Sequence, residues 1–374
     1  MKIVHLSDTH LGFRQLHRVN DAGRNEREQD VYDAFERAIS KIIELAPAVA
    51  IHSGDLFDSY HPSSAALGVA LDGLRRLHDA NIPVVVIAGN HSTPRVAAAE
   101  HVFAILERFG GAHLIYGGTR EVRIGDLAVH AIPHDNDPQR LIAALRRARP
   151  SADAKFNVLV THVGLDGLGK VVGAEAGSVT LSGEVLTGTG DFDYIALGHL
   201  HKFAPACGNA AYAGSLERLS WADDAPVKGI VEVALDAGRS SRDYLRLHPI
   251  EGRRFITLPP VDAATVTNLS DAILARADGV DLAGAMVRLS VRNVSVADWS
   301  AVDNKAIAAA YAGCLHFERE AQLIGATTVS AAAAPGLRDF LLGWAGEHAP
   351  GLDPDNFVAR AEVFIALADQ ELAA

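Results

Sequence analysis

Five apolar runs in the first 250 residues of the chain each stop on residues that can hold a metal. KIVHLS runs into Asp8 and His10, and AVAIHS into Gly54 and Asp55. VVVIA runs into Gly89, Asn90 and His91, NVLV into Thr161 and His162, and YIAL into Gly198, His199 and His201. Carboxylate, amide oxygen and imidazole without thiolate suit a borderline-hard divalent ion, with manganese, iron or zinc all compatible. Seven donors are too many for one ion; they suit two, roughly 3.5–4 Å apart and sharing a carboxylate. Such a site is net positive and fits a phosphate ester. Each fragment alone has a plainer role: Asp8 as a loop cap, GDLFD as a solvated turn, Asn90 as turn geometry, His162 as a core histidine. Coincidence would have to place a ligand type after five separate strands, so the joint reading is preferred.

For these residues to meet, the runs must be strands of one layered body. The first 250 residues alternate β-branched runs with amphipathic stretches, which predicts an α/β fold with a substantially parallel central sheet. Ligand sites in such sheets form beyond the carboxyl ends of the strands, where these five loops would converge. One predicted helix, EREQDVYDAFERAISKIIEL, puts Val31, Phe35, Ile39 and Ile42 on one stripe. The next has Ser63 and Ser64 as candidate N-caps. AAYAGS, GIVEVALD and DYLRLHPI lack intervening helices and predict a second, more antiparallel sheet. The pattern restarts near residue 251 and predicts a small α/β unit over 251–328. A linker and two C-terminal helices are expected over 329–374.

At 374 residues, two or three domains are expected. Only Cys207 and Cys314 are present, outside any CxxC pattern, which points to a reducing cytoplasm and away from a thiolate zinc site. No run approaches the ~18 apolar residues of a membrane span, so no membrane association is expected. The formal net charge is −12, and residues 251–374 carry 16 acidic against 9 basic residues. Any nucleic-acid contact must therefore be local or helped by bound cations.

In their order along the chain, SDTHLG, GDLFD, GNH, TH and GHLHK resemble the motifs of the calcineurin-like metallophosphoesterases. They are most similar to the SbcD and meiotic-recombination-eleven branch of DNA double-strand-break repair nucleases. Leu11-Gly12, Gln15 with REQD from Arg27, and YAGSLER from Tyr212 to Arg218 favour that branch. The resemblance covers about residues 1–255. It implies a layered phosphoesterase sandwich with a smaller α/β capping domain and C-terminal helices. It further implies that Asp8, His10, Asp55 and His201 hold a first metal. Asp55, Asn90, His162 and His199 would hold a second, with Asp55 bridging and manganese the expected ion. His91 matches the family histidine that protonates the leaving oxygen or stabilises the transition state. Two positions depart from the pattern: Ser92 replaces an acidic residue after GNH, and Asp58 stands where several relatives carry histidine.

Arg14 and Arg18 in the loop after the first motif, Lys202 after GHLH, and Arg218 are candidate phosphate contacts. Their plainer roles are a solvated charged loop and a turn anchor. The expected function is a manganese-dependent DNA exonuclease and single-strand endonuclease, the nuclease subunit of a complex with an SMC-like ATPase of the SbcC type. The final helix, with Phe357, Ala361, Phe364 and Ala368 on one stripe, would dock on that partner or on its own domain. A homodimer is compatible with this reading. The alternatives are a phosphodiesterase acting on small nucleotides and a scaffold that positions DNA or the ATPase.

Overall fold

The computed structural model describes residues 1–94, 100–166, 179–186, 189, 191–206, 208–223, 227–236 and 244–324. The expected C-terminal helices lie outside the described residues. Two compact units divide the chain at Met1–Phe255 and Ile256–Ala374.

In the first unit the chain runs β1 (Lys2–Leu6), α1 (Glu26–Leu45), β2 (Ala50–His52), α2 (Ser64–Asp79), β3 (Val84–Ile87), α3 (Val102–Glu107) and β4 (His113–Ile115). It continues β5 (Arg120–Ile124), β6 (Leu127–Ile132), α4 (Pro138–Arg147), β7 (Phe156–His162) and the short pair β8 (Gly164–Leu165) and β9 (Thr180–Leu181). Then come β10 (Tyr194–Gly198), β11 (Ala204–Pro205), β12 (Ala210–Tyr212), β13 (Gly229–Ala234) and β14 (Leu245–Pro249). One sheet has the order β14-β13-β1-β2-β3-β4 and a second the order β11-β12-β10-β7-β6-β5. The parallel strands are thus divided between two sheets. β1 to β4 run parallel in the first, and β6, β7, β10 and β12 run parallel in the second.

Strand alternation explains the layering. Ile3, Ile51, Val85 and Ile87 from the first sheet pack with Val129, Val158, Val160 and Ala196 from the second. The opposite faces bury Val4, Val84 and Val86 under Phe35 and Ile39 of α1 and Leu74 and Leu77 of α2. Leu159, Ile195 and Leu197 are covered by Leu141 and Leu145 of α4. The result is an α/β/β/α sandwich. The expected stripe on α1 is its buried face, and Asn25 caps it by accepting from the Arg27 and Glu28 amides. Ser63, rather than Ser64, caps α2.

The separate antiparallel sheet expected from AAYAGS, GIVEVALD and DYLRLHPI does not form. β12 runs parallel to β10, whereas β13 pairs antiparallel with β1 and β14 with β13. Apolar alternation marks a strand but carries little information about its neighbour.

The second unit centres on β17 (Met286–Val294), paired in parallel with β16 (Val261–Asp262) and β18 (His316–Leu323). The strand β15 (Phe255–Thr257) completes this sheet. Helices α5 (Leu269–Leu274), α6 (Val296–Ser300) and α7 (Asn304–Ala310) accompany it, with Ile273 and Ile307 in its core.

A buried ionic network ties α1 to the YAGSLER loop. Arg27 is fully buried, pairs with Asp30 and lies 3.7 Å from Glu217. Arg253 Nε donates to Asp30 Oδ2 at 2.9 Å, and its backbone amide donates to Glu217 at 2.8 Å. Burial pushes the Glu217 carboxyl up, while Arg27 draws it back down. Removing one partner of such a network leaves uncompensated buried charge and costs about 3–5 kcal/mol. Urea denaturation of Arg27→Ala should show a loss of that size, and adding Glu217→Gln should restore part of it.

Candidate metal centre

The strands β1, β2 and β3 of one sheet and β7 and β10 of the other end at one edge of the sandwich. Cross-sheet bonds hold that edge together. His162 Nδ1 donates to the Ser53 carbonyl at 2.8 Å, and the His199 amide donates to both Asp8 oxygens at 3.1 and 3.2 Å. Asp8, His10, Asp55, Asn90, His162 and His199 are all buried. Ligand atoms of Asp8, His10 and His201 lie within 4.8 Å of one another, as do those of Asp8, Asp55 and His162. Asp8 is common to both groups.

The backbone is bent to achieve this. Asp8, His10, Asp55 and His199 have φ of 51°, 47°, 53° and 104°, in the left-handed region that L-residues avoid. Each such residue costs of order 1–3 kcal/mol, and such strain concentrates at functional sites. Two glycines leave room for the ligands. A Cβ on Gly89 would overlap Asp55 Oδ1, and one on Gly198 would overlap the Ser53 carbonyl and the His162 ring.

Three imidazoles are anchored through Nδ1. His10 Nδ1 lies 3.1 Å from Asp58 Oδ1, His201 Nδ1 lies 3.3 Å from Asp223 Oδ1, and His162 Nδ1 bonds to Ser53 O. Carboxylate and carbonyl oxygens only accept, so Nδ1 carries the proton and each neutral ring turns the lone pair of Nε2 inward. Those lone pairs meet other acceptors. His10 Nε2 stands 3.1 Å from His201 Nε2, and His162 Nε2 stands 3.0 Å from Asn90 Oδ1 and 3.1 Å from Asp55 Oδ2. Acceptors this close need a cation between them. This donor set fits two divalent ions, with imidazole, carboxylate and amide oxygen and no thiolate.

Within the protein alone, a proton partly serves that role. Burial by itself would lower the His162 pKa, but Asp55 and Asp8 raise it to about 9. Burial opposes charge on Asp55, yet His162, with His91 and His10, holds its carboxyl well below the usual range.

His91 sits beside this cluster, edge-on to His10 with ring centroids 4.7 Å apart. Its amide donates to Asp55 Oδ1 at 2.9 Å and its Nδ1 donates to the Asp58 carbonyl at 2.8 Å. The backbone therefore orients the ring, and Ser92, which follows GNH, is fully buried. Among the candidate phosphate contacts, Arg14 is exposed but forks onto Glu28 at 3.0 and 3.1 Å. Arg218 lies against the Phe255 ring, 5.9 Å from its centroid, and Arg18 and Lys202 are exposed. Sequence reasoning missed Asp223, Ser53 and the orienting role of Asp58. None follows an apolar run in a way that marks it as a partner of a histidine far along the chain.

Residues 1–203 match the family model described as calcineurin-like phosphoesterase. The chain belongs to that family. Curated relatives of this phosphoesterase include the DNA double-strand break repair protein Mre11 of Methanocaldococcus jannaschii, 32% identical over 226 residues, covering 58% of this chain and 57% of the relative. The same-named protein of Sulfurisphaera tokodaii is 36% identical over 202 residues, covering 54% and 49%. That of Haloferax volcanii is 32% identical over 253 residues, covering 66% and 53%. The chain thus spans about half the length of the curated relatives it matches. The phosphoesterase is similar over more than half of its own length to DNA double-strand break repair proteins named Mre11. No helix among the described residues is long and apolar enough to cross a membrane.

Since metal-free His162 stays protonated below about pH 9, metal uptake at pH 7 should expel close to one proton from it. Apparent affinity should rise with pH and level off above about 9. Calorimetry in buffers of differing ionisation enthalpy counts the protons, and a count near zero at pH 7 would contradict the arrangement. Asp58→Ala and Asp223→Ala should each weaken metal binding about 10–100-fold.

Proposed function

We propose that this phosphoesterase is a metal-dependent DNA nuclease, with exonuclease and single-strand endonuclease activity, working as the nuclease subunit beside an SMC-like ATPase. The observation that carries the reading is the convergence of inward-facing imidazole lone pairs on Asp8 and Asp55 with His91 alongside. The likeness to Mre11 proteins supports DNA as the substrate. Asp8, His10, Asp55 and His201 would hold one metal and Asp55, Asn90, His162 and His199 the other, with manganese as the physiological ion. Bound there, the ions supply Lewis-acid neutralisation of the phosphate charge and a nucleophile near neutral pH.

The chain's own residues divide the remaining work. Asp58 and Asp223 keep His10 and His201 turned inward. His91 is pinned by Nδ1, so its Nε2 faces the chemistry. In the imidazolium form that nitrogen gives its proton to the departing sugar oxygen. Lys202, one residue beyond His201, and Arg18 draw in substrate phosphates. The unit after Phe255 acts as a capping domain that positions DNA.

The test is digestion of linear duplex and single-stranded DNA with manganese, magnesium or EDTA. Manganese-dependent degradation should vanish in Asp55→Ala. His91→Ala should keep its metal and lose about 10²–10⁴-fold in rate. Turnover of bis(p-nitrophenyl) phosphate with no cleavage of any DNA would instead identify a small-nucleotide phosphodiesterase.

A further inference from the structure

Beside the metal centre, a cavity of about 350 Å³ is lined by Thr93, His101, Tyr116, His134, Asn136 and Arg140. Its floor belongs to the site. Thr93 Oγ1 donates to the Gly89 carbonyl at 2.7 Å, and Asn136 Nδ2 donates to the Pro94 carbonyl at 3.0 Å, joining the GNH loop to the loop after β6. His134 is 4% exposed and electrostatically coupled to His162, Asp55 and His199. Nothing in the metal chemistry uses it.

The polar atoms of this cavity are incomplete. His134 Nε2 and His101 Nε2 are buried with no hydrogen-bond partner. His101 Nδ1 accepts from the Phe103 amide at 3.1 Å, so its Nε2 carries the proton and is an unpaired donor. The His101 ring also stacks on Tyr116, with centroids 4.6 Å apart and planes 27° from parallel. Buried polar atoms without partners are few in folded proteins and call for an explanation. An aromatic platform with hydrogen-bonding atoms beside it suits a flat heteroaromatic ring with a polar edge.

The cavity opens into a longer groove of about 750 Å³ between α4 and the β5–β6 hairpin, sharing Thr119, Ile132, Arg140 and Ala144 with it. Arg120, Arg147 and Arg149 line that groove and are exposed. Among the described residues, none of the three lies within 4.0 Å of a carboxylate, although Arg123 and Arg140 nearby are both paired with acids. In a chain of net charge −12, three arginines without acid partners on one groove are a local positive track. α4 is ten residues long, about 15 Å, so the track extends well beyond one phosphate.

We propose that a single strand of nucleic acid leaves the metal centre along this path. An unpaired base enters the His101–Tyr116–His134 cavity, and the following phosphates lie on Arg120, Arg147 and Arg149. A paired base could not reach the stacking platform, which commits the site to single strands. The proposal rests on the nuclease reading and adds a strand path to it.

The test uses the full chain in EDTA, so that cleavage cannot intervene, with fluorescence anisotropy of labelled oligo-dT across a salt series. The triple variant Arg120→Gln, Arg147→Gln, Arg149→Gln should bind at least tenfold more weakly. Its log–log salt slope should be shallower by about 2, since each phosphate left without its arginine removes ~0.7. His101→Asn keeps an acceptor for the Phe103 amide but removes the ring. Wild type should prefer a terminal base over an abasic end, and His101→Asn should abolish that preference. Thermal midpoint and manganese stoichiometry show whether each variant is folded; if the triple does not fold, the single Arg→Gln variants should each lower the slope by about 0.7. An unchanged slope in folded variants, with wild type still binding, overturns the strand path and leaves the nuclease reading standing. Wild type that neither binds oligo-dT in EDTA nor cleaves DNA with manganese overturns both.

Discussion

The structure depends on one electrostatic demand: several electron-pair donors are held together in a region that excludes water. Asp8 and Asp55 are 1% exposed, the Nε2 atoms of His10 and His201 are turned toward one another beside Asp8, and that of His162 is turned toward Asp55. Grouping acceptors away from water is unfavourable unless a cation joins them. A proton shared with His162 satisfies part of the demand, and divalent ions satisfy it more fully. The left-handed turns at Asp8, His10, Asp55 and His199 are the conformational cost of bringing five loops to that point.

The sandwich supplies the rigidity that such a site needs. Its two sheets are joined by polar contacts as well as by the apolar interlayer. His5 Nδ1 lies 2.8 Å from the Tyr194 hydroxyl, and its Nε2 lies 2.8 Å from Ser53 Oγ. Burial lowers the His5 pKa to about 3, so it stays neutral and serves as a connector between β1, β2 and β10. Ser53 then presents its carbonyl to His162. A candidate metal ligand on one sheet is thereby oriented by backbone from the other. Fixing ligands through such partners narrows the positions their nitrogens can take.

Charge is distributed to match. The chain as a whole is acidic, which would repel nucleic acid at long range. Under the proposed reading, attraction to nucleic acid would come from the metal centre and from local groups of arginine and lysine. Several arginines are already committed to structure: Arg27 and Arg253 to the buried network, and Arg14 to Glu28. Counting cations along the sequence therefore overstates the charge that a substrate meets.

The ligand types were legible because each follows a short apolar run, and a strand that ends at a sheet edge delivers its next residues to one place. The helix from Glu26 to Leu45 was equally legible, since its stripe repeats at helical spacing. Strand partners were not, because a period of two is the same for a strand in either sheet; β12, β13 and β14 went to neighbours that patterning could not name. The same holds for Asp223, 22 residues beyond the histidine it orients, and for His134 and His101, whose unpaired nitrogens exist only because two loops pack together. The sequence by itself determined which chemistry the chain carries, through residue type and local period. Only the tertiary structure decided which atoms face each other, because that depends on sheet pairing and on backbone turns that no local pattern records.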